Sequence, residues 1–455
     1  MIFFPGLSCK KFLDVQLDKS KLESSAVFAT DVNANGAVTG IYFQMLDWGS
    51  FSGGAYASVT GLTALSSDEM RSYANSADYL TFYTNSLINV NYYVQTLWTT
   101  PYQVIYSANA VIEGLAASKG VTADTKKQLE SEARFIRAFC HFYLVNLFGE
   151  VPVITTTDYN KNAGVSRQTV DEVYAQILED LQFAYDNISE GYYLTDERVR
   201  ANKATVSAML ARVWLYRKDW AKAASYATEV INKNTVYQLE NNPDSVFLAP
   251  SREAIWQLRP SQPGYNTGEG LYMVLTGNPA NSSFGNSAFT PQLLNAYEAG
   301  DKRRQHWVGV FTDTTVTPHK DFYFSYKYKL ANAPLKEYSA IFRLAEVLLI
   351  RAEARAMLND VSGAQDDIDA IRHRAGLGNT TAADQASLLT AIEQERKVEL
   401  AVEWGHRWLD LKRWDKVDAA LAPLKTGWRK EDALYPVPFQ ELKKDPHLLP
   451  QNPGY

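Results

Sequence analysis

Cysteine is almost missing. The 455 residues hold two, Cys9 and Cys140, which leaves no disulfide framework and no thiolate zinc site. No run of about 18 consecutive apolar residues occurs, so no segment reads as a membrane-spanning helix. Basic charge is also short: 45 Lys and Arg against 51 Asp and Glu give a net charge of −6, whereas a groove that tracks nucleic-acid phosphates carries a basic excess. The histidines, at 141, 306, 319, 373, 406 and 447, show no HExxH or paired-ligand spacing. There is no Walker loop, no Rossmann glycine fingerprint and no GxSxG elbow. Neither a catalytic constellation nor a cofactor site is read from this chain.

What the chain has in excess is aromatic: 10 Trp, 27 Tyr and 20 Phe, in a composition otherwise ordinary for a globular protein at 46% hydrophobic and 21% charged. Tyr and Trp join an apolar face to a polar tip, so a surplus points to half-wet surfaces such as partner interfaces and sugar platforms.

The scaffold reads as mostly α-helical. Lys126–Phe148 carries Leu129, Ala133, Ile136, Phe139, Tyr143 and Leu147 at spacings of three and four, a helix stopped by Gly149 and Pro152. Val170–Ile188 is a second. Thr205–Ile231 predicts two antiparallel helices turning at Lys218-Asp219-Trp220, with Ala211, Ala223 and Ala227 small enough for close approach, as in a tetratricopeptide unit. Leu348–Ile371 repeats these offsets, since Ala352 to Ala364 spans 12 residues as Ala211 to Ala223 does. Cys140 falls in an apolar helical run and reads as a small buried hydrophobe.

Between the helix pairs lie two inserts rich in Gly, Asn, Ser and Tyr, Ala57–Val94 and Pro260–Tyr328. Long loops inside a compact protein are usually functional. A sugar ring presents an apolar C–H face and a fringe of hydroxyls, and so calls for flat aromatics beside amides and carboxylates. The candidates are Asp68, Tyr73, Tyr79 and Tyr83 in the first insert, and Tyr265, Asn266, Tyr272, Phe284 and Trp307 in the second. Two other patterns have bland readings. Asp31-Val-Asn33-Ala-Asn35-Gly36 matches the start of a calcium loop, but position twelve is Tyr42, and capping by Asp31 or Asn33 of a helix at 37–46 accounts for the same residues. Glu395, Glu399 and Glu403, four apart, share a helical face with Arg396, Lys397, Arg407, Lys412 and Arg413 around them, which reads as ion pairing and not as a glycosidase pair.

Longer blocks permit a family resemblance. They are Ser8-Cys9-Lys10-Lys11-Phe12-Leu13-Asp14; Trp98 to Glu113 with Tyr102 and Asn109; Glu132 to Ala138 running into Gly149-Glu150-Val151-Pro152; Phe342 to Ala354; Ile371 to Leu377; Glu395 to Trp414; and Gln451-Asn452-Pro453-Gly454-Tyr455. In this order, over nearly the whole chain, the sequence resembles the SusD/RagB family. The resemblance implies four tetratricopeptide-like helix pairs carrying loop-rich segments. It also implies a non-enzymatic outer-membrane lipoprotein of Bacteroidota, facing the cell exterior, that captures glycan and delivers it to a SusC-like TonB-dependent transporter. On that pattern residues 1–9 are a truncated lipoprotein signal ending at Cys9, the lipidation residue. Residues 10–235 form the N-terminal region and 236–455 the C-terminal region of one globular unit. Peptide capture, as in the RagB branch, is the alternative within the family; a glycoside hydrolase or a pure protein-binding scaffold are the alternatives outside it.

Overall fold

The computed structural model describes residues 24–282 and 284–455, so Cys9 and its expected lipid lie outside the described residues. Eight of the longer helices form a stack in chain order, each packed on the next: Tyr92–Ala117, Ala123–Phe148, Val170–Asn187, Lys203–Tyr216, Trp220–Ile231, Leu344–Met357, Val361–Arg374 and Gln385–Glu399. The expected mostly-α architecture stands. Both tetratricopeptide-like turns are built alike. Lys218 and Asn359 take left-handed backbone, with φ of 59° and 62°, and the Asp that follows each accepts a backbone N–H three residues on to start the next helix. Ala211, Ala223, Ala227, Ala352 and Ala364 are fully buried where the paired helices touch.

Ala123–Phe148 is the central helix. The expected stripe is buried, and the second half is buried on its other faces as well, since from Phe135 to Phe148 only Asn146 is not buried. Strands Ala254–Leu258 and Ser339–Arg343 pair antiparallel across that half, and Trp256 meets Phe135, Phe139 and Phe342 at ring separations of 5.1, 5.2 and 6.0 Å. Cys140 lies here, fully buried, its thiol pushed well up by burial.

The carboxylates at 395, 399 and 403 are buried ion-pair members, as expected, but with other partners. Arg343 binds Glu253, Glu399 and Glu403, while Arg303 binds Asp301, Glu395 and Glu399. Burial alone would raise the Glu399 carboxyl; Arg374, Arg343 and Arg303 hold it well below its ordinary range instead. Arg396 and Arg413 turn to Asp410, Arg407 and Lys397 to Asp68, and Lys412 to the Asn146 carbonyl. Glu403 lies past the end of the 385–399 helix, which is why the sequence face misassigned its neighbours. The calcium-like stretch is the first turns of a helix, Asp31–Met45. Thr30 caps it, not Asp31 or Asn33, and the Asp31 carboxylate instead takes hydrogen bonds from Thr122 and Thr125.

Neither insert is an open loop. Residues 57–70 are buried throughout, and the first insert forms helices Val59–Ser66 and Ala77–Thr84 around strand Met70–Ser72. The second supplies helix Gly268–Met273, strand Ser287–Phe289 and a hairpin, 308–313 with 320–325. Strands 70–72 and 287–289 pair antiparallel, Arg71 opposite Ala288, and so stitch the two inserts together.

Candidate functional site

A loop of close backbone contacts prepares the site. A Cβ on Gly53 would lie 2.1 Å from the Asp47 carbonyl oxygen, and one on Gly54, where φ is +68°, 2.1 Å from a Glu269 carboxylate oxygen. A Cβ on Gly268 would lie 2.4 Å from the Gly53 carbonyl oxygen. Only glycine permits these approaches, and they press the 47–56 segment against the helix that begins at Gly268. Trp48 is thereby set between two tyrosines of the second insert, its ring 5.1 Å from Tyr265 and 6.0 Å from Tyr272.

From Trp48 the aromatics run on in one strip. Tyr272 lies 5.1 Å from Tyr56 and 5.2 Å from Phe284; Tyr56 lies 6.1 Å from Tyr93, and Tyr93 lies 5.5 Å from Tyr79 and 5.2 Å from Tyr92. Most contacts are edge-to-face, which braces each ring while leaving part of its face open. Phe284 is 51% exposed and Tyr265 39%, and Tyr92 is exposed at the far end. Tyr56, Tyr93, Tyr272 and Phe284 border a cavity of about 300 Å³, with Tyr79, Met70 and Met273 in its wall and Ser76, Asn286 and Ser287 as polar points. None of its described lining residues carries a charge. Burial first, and neighbouring phenols second, raise the hydroxyls of Tyr56, Tyr93 and Tyr272, so at neutral pH they are protonated and can both donate and accept.

The nine sequence candidates separate. Tyr265, Tyr272 and Phe284 belong to the strip, and Tyr79 is a buried wall residue of its cavity. Tyr73, Tyr83 and Asp68 face a different cavity, on the other side of the 70–72/287–289 ribbon. Asp68 is no free ligand for a hydroxyl: Arg407 and Lys397 grip its carboxylate at 2.8 and 2.9 Å and hold it far below its ordinary range against the burial that would raise it. Asn266 is fully buried, its amide donating to the carbonyls of Asn332 and Pro334 and accepting from the N–H groups of Lys336 and Glu337. Trp307, 1% exposed, donates its indole N–H to the Pro243 carbonyl and lies under Lys327, Arg343 and Arg374. Asn266 and Trp307 have no open face for a ligand, and both are corrected to structural residues. Trp48 and Tyr56, just before the first insert, were missed. The pair Gly53-Gly54 marks a tight turn in the sequence, but not what it approaches.

Comparison with known proteins finds two family models. One, described as starch-binding and associating with the outer membrane, matches residues 11–215; the other, the SusD family, matches residues 309–455. SusD-like protein P2 of Formosa agariphila is 30% identical, over 79% of this chain and 80% of its own length. Among solved structures, a SusD superfamily protein from Bacteroides vulgatus superposes with a TM-score of 0.82 at 19% identity, covering 93% of this chain and 99% of its own. A laminarin-binding SusD-like protein superposes with a TM-score of 0.78 at 25% identity, covering 94% of this chain and all of its own, 100%.

Proposed function

The chain belongs to the SusD/RagB family, and on that premise we propose that it captures oligo- or polysaccharide outside the cell and hands it to a SusC-like TonB-dependent transporter, binding without catalysis. One observation carries this reading: the strip from Tyr265 through Trp48, Tyr272 and Tyr56 to Tyr93 beside an uncharged cavity. Open ring faces suit the C–H face of a pyranose, and Ser76, Asn286, Ser287 and neutral phenols suit its hydroxyls. The lack of charge among the lining residues supports sugar over peptide, whose termini would need an ionic partner. It also supports binding over hydrolysis, which uses two facing carboxylates. The likeness to a laminarin-binding protein favours a glucan as the first probe. Lipid attachment at Cys9 would hold the protein at the outer membrane with this face outward.

Calorimetry of the purified chain against laminarihexaose, maltoheptaose, other neutral and acidic oligosaccharides, and a mixed peptide set tests the reading. Saturable binding of at least one glycan, weakened by Tyr272→Ala and without product formation, is the expected result. Peptide binding alone, or sugar cleavage, defeats it. Co-purification with a TonB-dependent barrel from native membranes tests the handover separately.

A further inference from the structure

The neutral strip leaves the second cavity, about 410 Å³, without a role. Neighbouring residues of a strand face opposite sides: Met70 and Ser287 line the aromatic cavity, while Arg71 and Ala288 line this one. Tyr73 and Phe322, their rings 5.2 Å apart, form a ledge along it.

Among the described residues, every arginine donates a side-chain hydrogen bond to a carboxylate, an amide or a carbonyl except two. Of those two, Arg71 lines this cavity, and Arg304 lies against Tyr323 at its edge. The Arg71 guanidinium carbon is 5.3 Å from the Tyr73 ring centre and that of Arg304 is 4.9 Å from the Tyr323 ring centre. Lys320, which has no carboxylate within ion-pair distance among the described residues, holds its ammonium 4.8 Å from Phe322 and 5.7 Å from Tyr73. A guanidinium over a ring is oriented by that ring while its N–H edge stays free to donate. The local acids do not cancel this charge. Asp68 is already occupied by Arg407 and Lys397, Asp321 is bonded to the hydroxyls of Thr312 and Tyr323, and Asp313, across the hairpin from Lys320, is bonded to Asn278 and Thr315. The Lys425 ammonium, below, is used up on the carbonyls of Leu65, Ser66 and Asn85. In a chain of net charge −6, Arg71 and Lys320, both over the Tyr73 ring and neither tied to a carboxylate among the described residues, form a site for an anion.

We propose that this ledge is a second glycan subsite, taking the carboxylate or sulfate ester of an acidic sugar on Arg71 and Lys320, one sheet layer away from the neutral strip. The proposal rests on the glycan-capture reading and narrows it to polysaccharides that carry acidic substituents.

The test is calorimetry of the whole chain and of Arg71→Gln, Lys320→Gln and the double variant. The probes are an oligogalacturonate, a sulfated carrageenan oligosaccharide and neutral laminarihexaose, each at low and high salt. The expected result is that at least one acidic probe binds, loses roughly tenfold in affinity per variant, as removal of a hydrogen bond to a charged group implies, and weakens with salt, while any neutral binding is untouched. Which acidic probe responds separates uronate from sulfate recognition. Acidic probes binding no better than neutral ones, or variants that weaken neither or both classes alike, overturn the subsite and leave glycan capture standing. No binding to any sugar overturns both. Arg71 and Lys320 lose no ion pair among the described residues and only exposed cation–π contacts, so melting temperatures should change little, which marks any loss of binding as local.

Discussion

Tyr272→Ala is the sharpest perturbation of the strip. The ring touches three others, Trp48 at 6.0 Å, Tyr56 at 5.1 Å and Phe284 at 5.2 Å, so it is both a platform and the brace of its neighbours. Losing a stacking surface costs about 1–3 kcal/mol, by analogy with bases stacked on aromatic side chains. The ring contacts, two edge-to-face and one tilted, are lost in free and bound protein alike and so lower the melting temperature instead. Binding should therefore weaken by about 1–3 kcal/mol, roughly five- to 150-fold. Tyr265, more exposed and touching only Trp48 in the strip, should cost nearer to 1 kcal/mol when truncated. Trp307→Ala is the contrast. Its ring lies in the core, so it should lower stability by about 3–5 kcal/mol and leave the affinity of the folded protein unaltered. Calorimetric titration beside thermal melts separates the two effects. Equal affinity in Tyr272→Ala and the parent, or a binding loss in Trp307→Ala at a temperature where it is fully folded, would refute the assignment.

Arg343→Met takes one cation from each of Glu253, Glu399 and Glu403, which keep Arg374, Arg303 and Lys327 as partners, and should cost about 3 kcal/mol in urea unfolding. Gly54→Ala forces a side chain into left-handed backbone, at about 1–2 kcal/mol before Glu269 moves aside, and by displacing Trp48 should lower both the melting temperature and sugar affinity. Burial first, then the Arg137 charge, depress the His141 imidazole from 6.5 to about 3. The unfolded chain takes up that proton more readily, so stability is whole above pH 6.5 and is lost toward pH 3, at up to about 1.4 kcal/mol per pH unit. His141→Gln should remove this slope, read as the parent-minus-variant difference in urea midpoint at pH 7, 5 and 4. Cys9→Ala in the full-length gene product should abolish incorporation of labelled fatty acid and release the protein from membranes; unchanged incorporation would exclude Cys9.

The helix stack was legible because its signals are local. Apolar spacing, small residues at matching offsets and an Asp after each turn all sit within one pair of helices, at Lys218-Asp219 and again at Asn359-Asp360. The site was legible only as a region. Asp68 reads in sequence as a polar residue among aromatics, and its fate is decided by Arg407, which comes to it from the far end of the chain. Trp307 looks like Tyr265 in composition, yet the cations of Lys327, Arg343 and Arg374 enclose it. Trp48 escaped because nothing near it announces the helix at Gly268 that it meets. Burial by distant partners decides which aromatic is platform and which is core, and a window of sequence does not contain those partners.

The three-residue ribbon that joins 70–72 to 287–289 also bears on how such a protein can change its diet. Both cavities draw on both inserts, so neither insert is a cassette that carries a preference by itself. Grafting one from a relative would bring half of each recognition surface against a foreign strand partner, and new specificity should come more readily from point changes on either side of the seam than from exchange of whole segments.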